Sequence, residues 1–323
     1  MKEKNKGFTL VELLAVIVIL ALIALIATPI ILNVINDAKK QAAKDSAYGY
    51  MDAVEKYIVS SELEDKSIQD RTYSVEELNS MGVSVKGSTP DNGNIEIKNS
   101  SVKSYDIGID GYAVSNGEVK KVSTTKSFKN GTAVYYNPET ETKCKSSEAV
   151  STPGTKRGCM KWYVFNDKEG NATVNVILDH NTTANVAWNS TADALKKDTS
   201  TWKNTARLIT ANEVAKITGH PTFDASKTGQ SWFYFDSNNQ TQTANASNKS
   251  KYAWLFDYTD GCTSYGCSNT SNSSTYGYWT STPKKDDSTI AWVVYTGGTL
   301  SYSNVTNNDY GIRPVITISK SNV

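Results

Sequence analysis

The longest apolar run in the chain extends from Phe8 to Leu32, and Glu12 is its one ionisable side chain. A helix of about 20 apolar residues is long enough to cross the hydrocarbon core of a bilayer. A carboxylate inside a span costs about 2.5–3.5 kcal/mol, although the first turn of a helix offsets part of this cost. The pattern predicts a membrane-spanning helix in which Glu12 has a specific role. An ordinary membrane anchor stays open as an alternative, whereas a secretory signal peptide has a shorter apolar region.

After Lys40 the apolar positions recur at spacings of three and four, which indicates a helix with one buried face. We therefore expect the helix to continue to about Ser60, roughly 80 Å from its start, and to dock on a globular head. Pro29 lies inside it and removes one backbone hydrogen bond, so a kink or local loosening is expected there. The residues of the predicted buried face are Ala43, Ala47, Tyr50, Met51, Val54, Tyr57 and Ile58.

Residues 61–123 read as a small β-rich head. Ser74 and Glu77 form a capping-box pattern that opens a short helix, and Gly82 ends it. Strand-like runs separated by Asn, Asp, Gly and Pro turn signals follow, which predicts the hairpins of a small antiparallel sheet. The predicted strands are Val83–Val85, Asn94–Lys98, Ser104–Ile109, Tyr112–Val114 and Glu118–Val122.

A short polar break at residues 124–127 marks the expected boundary to a second domain, residues 128–323. This length suffices for a complete domain. Thr210 and Glu213 predict a second capped helix, which Gly219 ends. Strand-like segments follow, with the sequences YWTST from Tyr278 and AWVVY from Ala291, and the chain closes with YGIRPVITI from Tyr310.

The chain has 323 residues with 34 basic and 33 acidic side chains, a formal net charge of +1. This balance gives no reason to expect nucleic acid as a partner. The four cysteines lie far from the apolar run, and an even number in an exported protein suggests two disulfides. We favour Cys144 with Cys159 and Cys262 with Cys267, because each pair closes a local loop. Other pairings, and free buried thiols, remain open.

Aromatic side chains amid Asn and Ser in the second half form a candidate ligand face, since amphipathic rings suit contacts with sugars or proteins. Packing of the same rings in a core is the alternative. The two histidines, His180 and His220, lack ligand spacing, so we expect no metal site. We also expect no cofactor and no catalytic residue. The candidate ligand-face residues are Trp232, Tyr234, Tyr252, Trp254, Tyr258, Tyr265 and Tyr276.

The N-terminal order Gly7-Phe8-Thr9-Leu10-Val11-Glu12, after a short basic leader, resembles type IV prepilins. This resemblance implies that residues 1–7 are removed by a prepilin peptidase, that the Phe8 amine is methylated, and that residues 8–60 form the pilin helix, with 8–32 in the membrane. It also implies that Glu12 neutralises the Phe8 amine of a neighbouring subunit, because buried charges are tolerated when paired. Pilins of this kind often carry a proline at the place of Pro29.

The segments around residues 206–213, 278–282 and 310–318 resemble the C-type-lectin-like fold, in the branch of formylglycine-generating-enzyme-like domains. The tripeptides of calcium-dependent lectins are absent, as are cysteines after Cys267. The expected fold class is therefore α+β. A long transmembrane and assembly helix packs on a small antiparallel sheet, as in pilins, and a C-type-lectin-like domain follows.

These features predict a type IV pilin subunit, inserted in the cytoplasmic membrane as a precursor and then assembled into an extracellular pilus. Its expected partners are other pilin subunits, in a homopolymer or heteropolymer, the prepilin peptidase, the pilus assembly platform, the membrane before assembly, and a host-surface glycan or protein for adhesion. One alternative is a minor pilin or pseudopilin of a DNA-uptake or type II-like secretion system. A surface-displayed enzyme is the other.

Overall fold

A computed structural model of the chain describes residues 10–64, 66, 68–122, 127–150, 152, 154–220, 223, 233–234, 252–256, 277–284, 287–295 and 299–323. Its first element is a single helix, α1 (Leu10–Leu63), of 54 residues. The helix passes through Pro29 without ending. Its C-terminal half buries one face, formed by Ala43, Ala47, Tyr50, Met51, Val54 and Ile58.

The head contains a five-stranded antiparallel sheet, called the head sheet here, in which strands follow their chain order. The Ser74 hydroxyl accepts a hydrogen bond from the Glu77 N–H at the start of helix α2, and Gly82 caps its end in the left-handed region. The elements are β1 (Arg71–Ser74), α2 (Val75–Met81), β2 (Asn92–Ile97), β3 (Val102–Ile109), β4 (Tyr112–Ser115) and β5 (Glu118–Lys121).

Two details of the head differ from the expectation. Val83–Val85 is not a strand, because the Val83 N–H donates to Leu78 O and so completes the C-terminal cap of α2. Strand β1 was not expected, since its last residue, Ser74, is also the cap of α2. β1 pairs with β2 along its whole length, Arg71 opposite Ile97 and Ser74 opposite Asn94.

The head sheet has an apolar face and a polar face. Side chains alternate along β2 and β3, so Ile95, Ile97, Tyr105, Ile107 and Ile109 pack with α1 in one core. The intervening residues form the polar face: Asn92, Asn94, Glu96, Ser104, Asp106 and Gly108. Asn92, Asn94 and Asp106 are nevertheless buried, because the second domain covers this face.

The second domain contains two antiparallel sheets. The first has the order β7-β6-β8-β9-β14, and the second has the order β10-β13-β12-β11. The C-terminal strand β14 pairs with β9, so the end of the chain lies beside one of the first four strands of the domain. The strands are β6 (Ala133–Asn137), β7 (Thr142–Lys143), β8 (Met160–Phe165), β9 (Thr173–Leu178), β10 (Phe233–Tyr234), β11 (Gly277–Pro283), β12 (Ile290–Tyr295), β13 (Thr299–Asn304) and β14 (Val315–Ser319).

Two short helices complete this domain, α3 (Thr191–Asp198) and α4 (Ala211–Ile217). Thr210 and Glu213 form the expected capping box at the start of α4. Trp162, Trp279 and Trp292 are fully buried and lie in three separate apolar clusters. Burial of a side chain of this size accounts for much of the stability of a domain rich in irregular loops.

Candidate functional site

The N-terminal half of α1 is an exposed apolar rod. Its side chains from Leu10 to Leu25 and from Ile30 to Ile35 are exposed, and by length and composition this helix can cross a membrane. Glu12 lies in its first turn. The predicted processing residues Gly7 and Phe8 lie outside the described residues. Such a rod requires lipid or other helices around it.

Pro29 lacks the N–H that would bond to the carbonyl one turn earlier. The neighbouring Thr28 hydroxyl donates to Ala24 O at 2.6 Å, a bond within the same turn of the helix. The helix therefore lacks one backbone hydrogen bond at Pro29. A role of Pro29 in adjusting the helix during assembly stays a prediction.

The second domain is tied to the head sheet through Arg207, which is 1% exposed. Its Nε donates to Asn94 Oδ1 at 2.6 Å, and its terminal nitrogens form a bidentate pair with Glu213 at 2.6 and 2.7 Å. Asn94 Nδ2 in turn donates to Thr205 O at 3.2 Å. Glu213 thus caps α4 and also compensates the buried guanidinium.

A buried carboxylate, Asp106, forms a second contact between the head sheet and the second domain. Asp106 Oδ2 accepts from the Thr205 N–H at 2.8 Å, and its other oxygen accepts from the Ser115 hydroxyl. Burial raises the pKa of Asp106 to about 6, although these hydrogen bonds oppose the rise. A carboxyl group that titrates near neutral pH therefore lies at the contact between the domains.

A third contact shows how closely the backbone of the head sheet approaches the backbone of the second domain. Asn92 Nδ2 donates to Thr173 O at 2.9 Å, and the Thr173 hydroxyl bonds back to Asn92. Beside them, a side chain at Gly108 would place its Cβ 2.6 Å from the Thr173 hydroxyl oxygen. A residue without a side chain is required at this position for the domains to meet.

Two adjoining cavities, together called the junction cleft here, lie between β1, β2 and the α3 region. They measure about 440 and 280 Å³ and share the lining residues Asp70, Arg71, Thr72, Ala192 and Leu195. One wall comes from the head and the other from the second domain. The cleft therefore exists only while the two domains are docked.

Charged groups from both domains face each other at the larger cavity. Lys98 belongs to the head and Lys196 to α3, and the nearby Lys98 ammonium lowers the pKa of Lys196. Glu96 and Asp193 lie on the same walls. Among the described residues, the Ser281 hydroxyl of the smaller cavity is buried without a hydrogen-bond partner.

Cys144 and Cys159 form a disulfide, one of the two local pairings favoured above, with Cα atoms 6.1 Å apart. It closes a loop beside β7 and β8 and lies far along the chain from the junction residues. Cys262 and Cys267 lie outside the described residues, so their pairing stays a prediction.

The expected aromatic ligand face is in part a core. Tyr252 and Trp254 are 6% and 7% exposed and pack in the largest apolar cluster of the second domain. Arg313 holds this segment in place, because its guanidinium donates to Trp254 O and Leu255 O at 2.5 and 3.0 Å. These two rings therefore fill space between the two sheets. Tyr234 lies in β10, with its backbone alone described, and Trp232, Tyr258, Tyr265 and Tyr276 lie outside the described residues.

Both histidines are buried. His180 Nδ1 lies 2.5 Å from an Asp179 carboxylate oxygen, and its Nε2 lies 3.0 Å from Thr155 O, so both nitrogens already contact oxygen atoms. His220 Nδ1 lies 3.4 Å from the Thr218 hydroxyl. In the part of the chain that the structure describes, no group of three or more His, Cys, Asp or Glu residues could hold a metal ion.

Comparison with protein families gives two matches. The family model described as the prokaryotic N-terminal methylation motif matches residues 2–28. A second model, described as a domain of unknown function (DUF6273), matches residues 162–320. No curated protein and no solved structure matches the chain.

The methylation motif is the prepilin motif, and it supports a type IV pilin-like or pseudopilin-like role for this chain. It implies processing by a prepilin peptidase and assembly with other pilins. The apolar helix is consistent with a membrane-anchored precursor. The second match begins inside the second domain and carries no activity with it.

Sequence reasoning missed the junction. Asn92, Asn94 and Asp106 alternate with apolar residues, a pattern typical of a strand with one face in water. One signal was available, because Arg207 precedes the capping residue Glu213 by six positions. An arginine placed so near a helix cap can form a buried pair with it.

Proposed function

We propose that this chain is a subunit of an extracellular type IV pilus and that its second domain serves adhesion or another surface contact. One observation supports this proposal most. The second domain docks on the polar face of the head sheet, whereas α1 packs on the opposite, apolar face. A fibre whose α1 helices bundle at its centre would therefore carry the second domain on its outside.

The contacts at the junction support a fixed position for that domain. Asn92, Asn94 and Asp106 each bond to it, and all three are buried. Buried hydrogen bonds of this kind specify one geometry, because any shift leaves polar atoms unpaired. The proposed subunit therefore projects its second domain rigidly, which suits a contact that must resist shear.

We further propose that the role is not enzymatic and that the second domain has a C-type-lectin-like fold. Three buried pairs of ionisable groups among the described residues support the first point, since each group already has its partner: Arg207 with Glu213, Lys320 with Asp167 and His180 with Asp179. The α+β architecture with two antiparallel sheets supports the second.

Labelling of sheared surface fibres with antibodies against the second domain tests this function, together with attachment of fibre-bearing cells to glycan-coated and protein-coated surfaces. The proposal expects label along or at the end of the fibres, and attachment that the same antibodies block. Label confined to the membrane fraction would contradict it. Labelled fibres whose attachment is unaffected by the antibodies would contradict the adhesive role alone.

A further inference from the structure

We propose that the junction cleft binds an acidic saccharide, with its anionic group held between Lys98 and Lys196. This inference rests on the proposed adhesive function and names its ligand class. The site differs from the aromatic segment expected from sequence, because Tyr252 and Trp254 of that segment lie in the core.

The position of the cleft is the first argument. Ligand sites occur preferentially at domain interfaces, in cavities of about 300–1,000 Å³. The combined volume of the two adjoining cavities, about 440 and 280 Å³, falls within that range. Because the docked domains fix both walls, the site is preorganised and a ligand need not order it.

The paired lysines are the second argument. Lys98 and Lys196 come from different domains, and the ammonium of one lowers the pKa of the other. Like charges so placed repel each other. A carboxylate or sulfate between them would replace this repulsion with two charge-assisted hydrogen bonds. The arrangement therefore favours an anion at the mouth of the larger cavity.

The lining of the smaller cavity is the third argument. Ser281 is 6% exposed, and its hydroxyl has no partner among the described residues. A buried polar atom without a partner is rare, and a ligand rich in hydroxyl groups would satisfy it. Trp188 and Leu195 add apolar surface. The Trp188 N–H donates to Thr280 O at 2.9 Å, so its ring is held in place for contact with a sugar.

The acidic residues of the cleft further restrict the class of anionic ligand that it can bind. Glu96 and Asp193 lie on the same walls as the two lysines. A polyanion with closely spaced charges, such as DNA, would bring phosphates against these carboxylates. A saccharide with one isolated carboxylate on every second sugar avoids this contact. The cleft thus fits a uronic-acid-type saccharide better than nucleic acid.

Titration of the purified, detergent-solubilised full chain with hyaluronan oligosaccharides tests the inference by calorimetry. We expect saturable binding that Lys98→Gln and Lys196→Gln each weaken by about tenfold, the loss of one charge-assisted contact. Lys197→Gln is the matched control, since Lys197 is exposed on the same helix, is next in sequence, and does not line the cleft. Neutral chitin oligosaccharides should bind at least tenfold more weakly than hyaluronan.

Three results would overturn the inference: no binding, equal weakening by Lys197→Gln, or equal binding of the neutral saccharide. Stronger binding of oligothymidylate or of oligoglutamate, lost in the Lys98 and Lys196 variants, would assign the cleft to another class of partner. The titration does not depend on fibre assembly. If the chain does not bind the saccharide although the fibres are labelled and adhesive, the ligand assignment is wrong and the proposed function still stands.

Discussion

Arg207 Nε donates a 2.6 Å hydrogen bond to Asn94 Oδ1, and this bond joins the second domain to the head sheet. Both residues are buried. Helix α1 packs on one face of this sheet. In this chain the opposite face of the sheet is also covered, so the sheet becomes the middle layer between α1 and the second domain.

Replacement of Asn94 tests that junction. Asn94→Ala leaves the Arg207 Nε and Thr205 O without their partners, and we expect the free energy of unfolding to fall by about 1–3 kcal/mol. Denaturant titration of the purified chain measures this loss. Lys120→Ala, at an exposed site on β5, is the control and should change stability by less than about 0.5 kcal/mol. Equal stability of Asn94→Ala and wild type would show that the domains are not held by this contact.

Asp106 should make the stability depend on pH. Burial raises its pKa in the folded chain to about 6, from an ordinary value of 3.8, so folding favours the protonated carboxyl. The resulting stabilisation is complete below pH 3.8 and is lost as the pH rises through about 6, a difference of about 3 kcal/mol. Asp106→Asn keeps an acceptor for the Thr205 N–H and a donor for Ser115, and should remove this dependence.

The measurement is the difference in unfolding free energy between wild type and Asp106→Asn from pH 4 to pH 7. Burial also raises the pKa of Asp91 to about 6, but that group titrates in both proteins and cancels in the difference. The account predicts that the variant gains stability relative to wild type as the pH rises. A constant difference across this range would contradict the assigned role of Asp106.

The buried pair of Lys320 with Asp167 should be costly to break. The two groups are 2.8 Å apart and almost fully buried, and Asp167 also accepts from the Phe128 N–H, so it ties both ends of the second domain. Asp167→Ala leaves a buried ammonium and should cost about 3–5 kcal/mol in denaturant titrations. Glu64→Ala breaks the exposed pair with Lys66 and should cost less than about 1 kcal/mol. Similar losses in both variants would show that the Lys320 pair is not buried in solution.

The Cys144–Cys159 disulfide closes a loop of 15 residues and should contribute roughly 3 kcal/mol. Cys144→Ser combined with Cys159→Ser should lower the free energy of unfolding by that amount in denaturant titrations. Thiol alkylation before and after reduction, read by mass, establishes the pairing independently. Alkylation of Cys144 or Cys159 in the unreduced protein would contradict the disulfide.

Local signals made much of this fold predictable. The capping pairs Ser74 with Glu77 and Thr210 with Glu213 each mark a helix start that the structure contains. Such signals act within a few residues and need no knowledge of the rest of the chain. The one-sided pattern from Ala43 to Ile58 likewise lies against the head sheet, because the spacing of apolar residues defines a single face of α1.

Contacts between distant segments could not be read in this way. Asn94 and Arg207 are 113 positions apart, and a polar residue that faces a second domain has the same pattern as one that faces water. Trp254 is an aromatic residue of the kind expected on a ligand face, but it fills the core, where Arg313, which lies two residues before β14, donates to its carbonyl. The walls of the junction cleft come from both domains, so no local sequence pattern in either domain predicts it.

Glu12 should be required for assembly more than for membrane insertion. Glu12→Ala removes the partner proposed for the Phe8 amine of a neighbouring subunit, and breaking such a buried pair costs about 3–5 kcal/mol. We expect at least about tenfold less chain in the sheared surface fraction, with a normal amount in the membrane. Glu55→Ala, exposed near the other end of α1, is the control. Normal fibre yield from Glu12→Ala would refute this pairing.

Mass spectrometry of the N-terminus, on protein sheared from the cell surface, tests the central claim most directly. The account predicts a chain that begins at a methylated Phe8 in the fibre fraction, because the prepilin motif spans the expected cleavage site after Gly7. An intact Met1, found in the membrane fraction alone, would contradict it, and the chain would then be an anchored surface protein that is not a pilin.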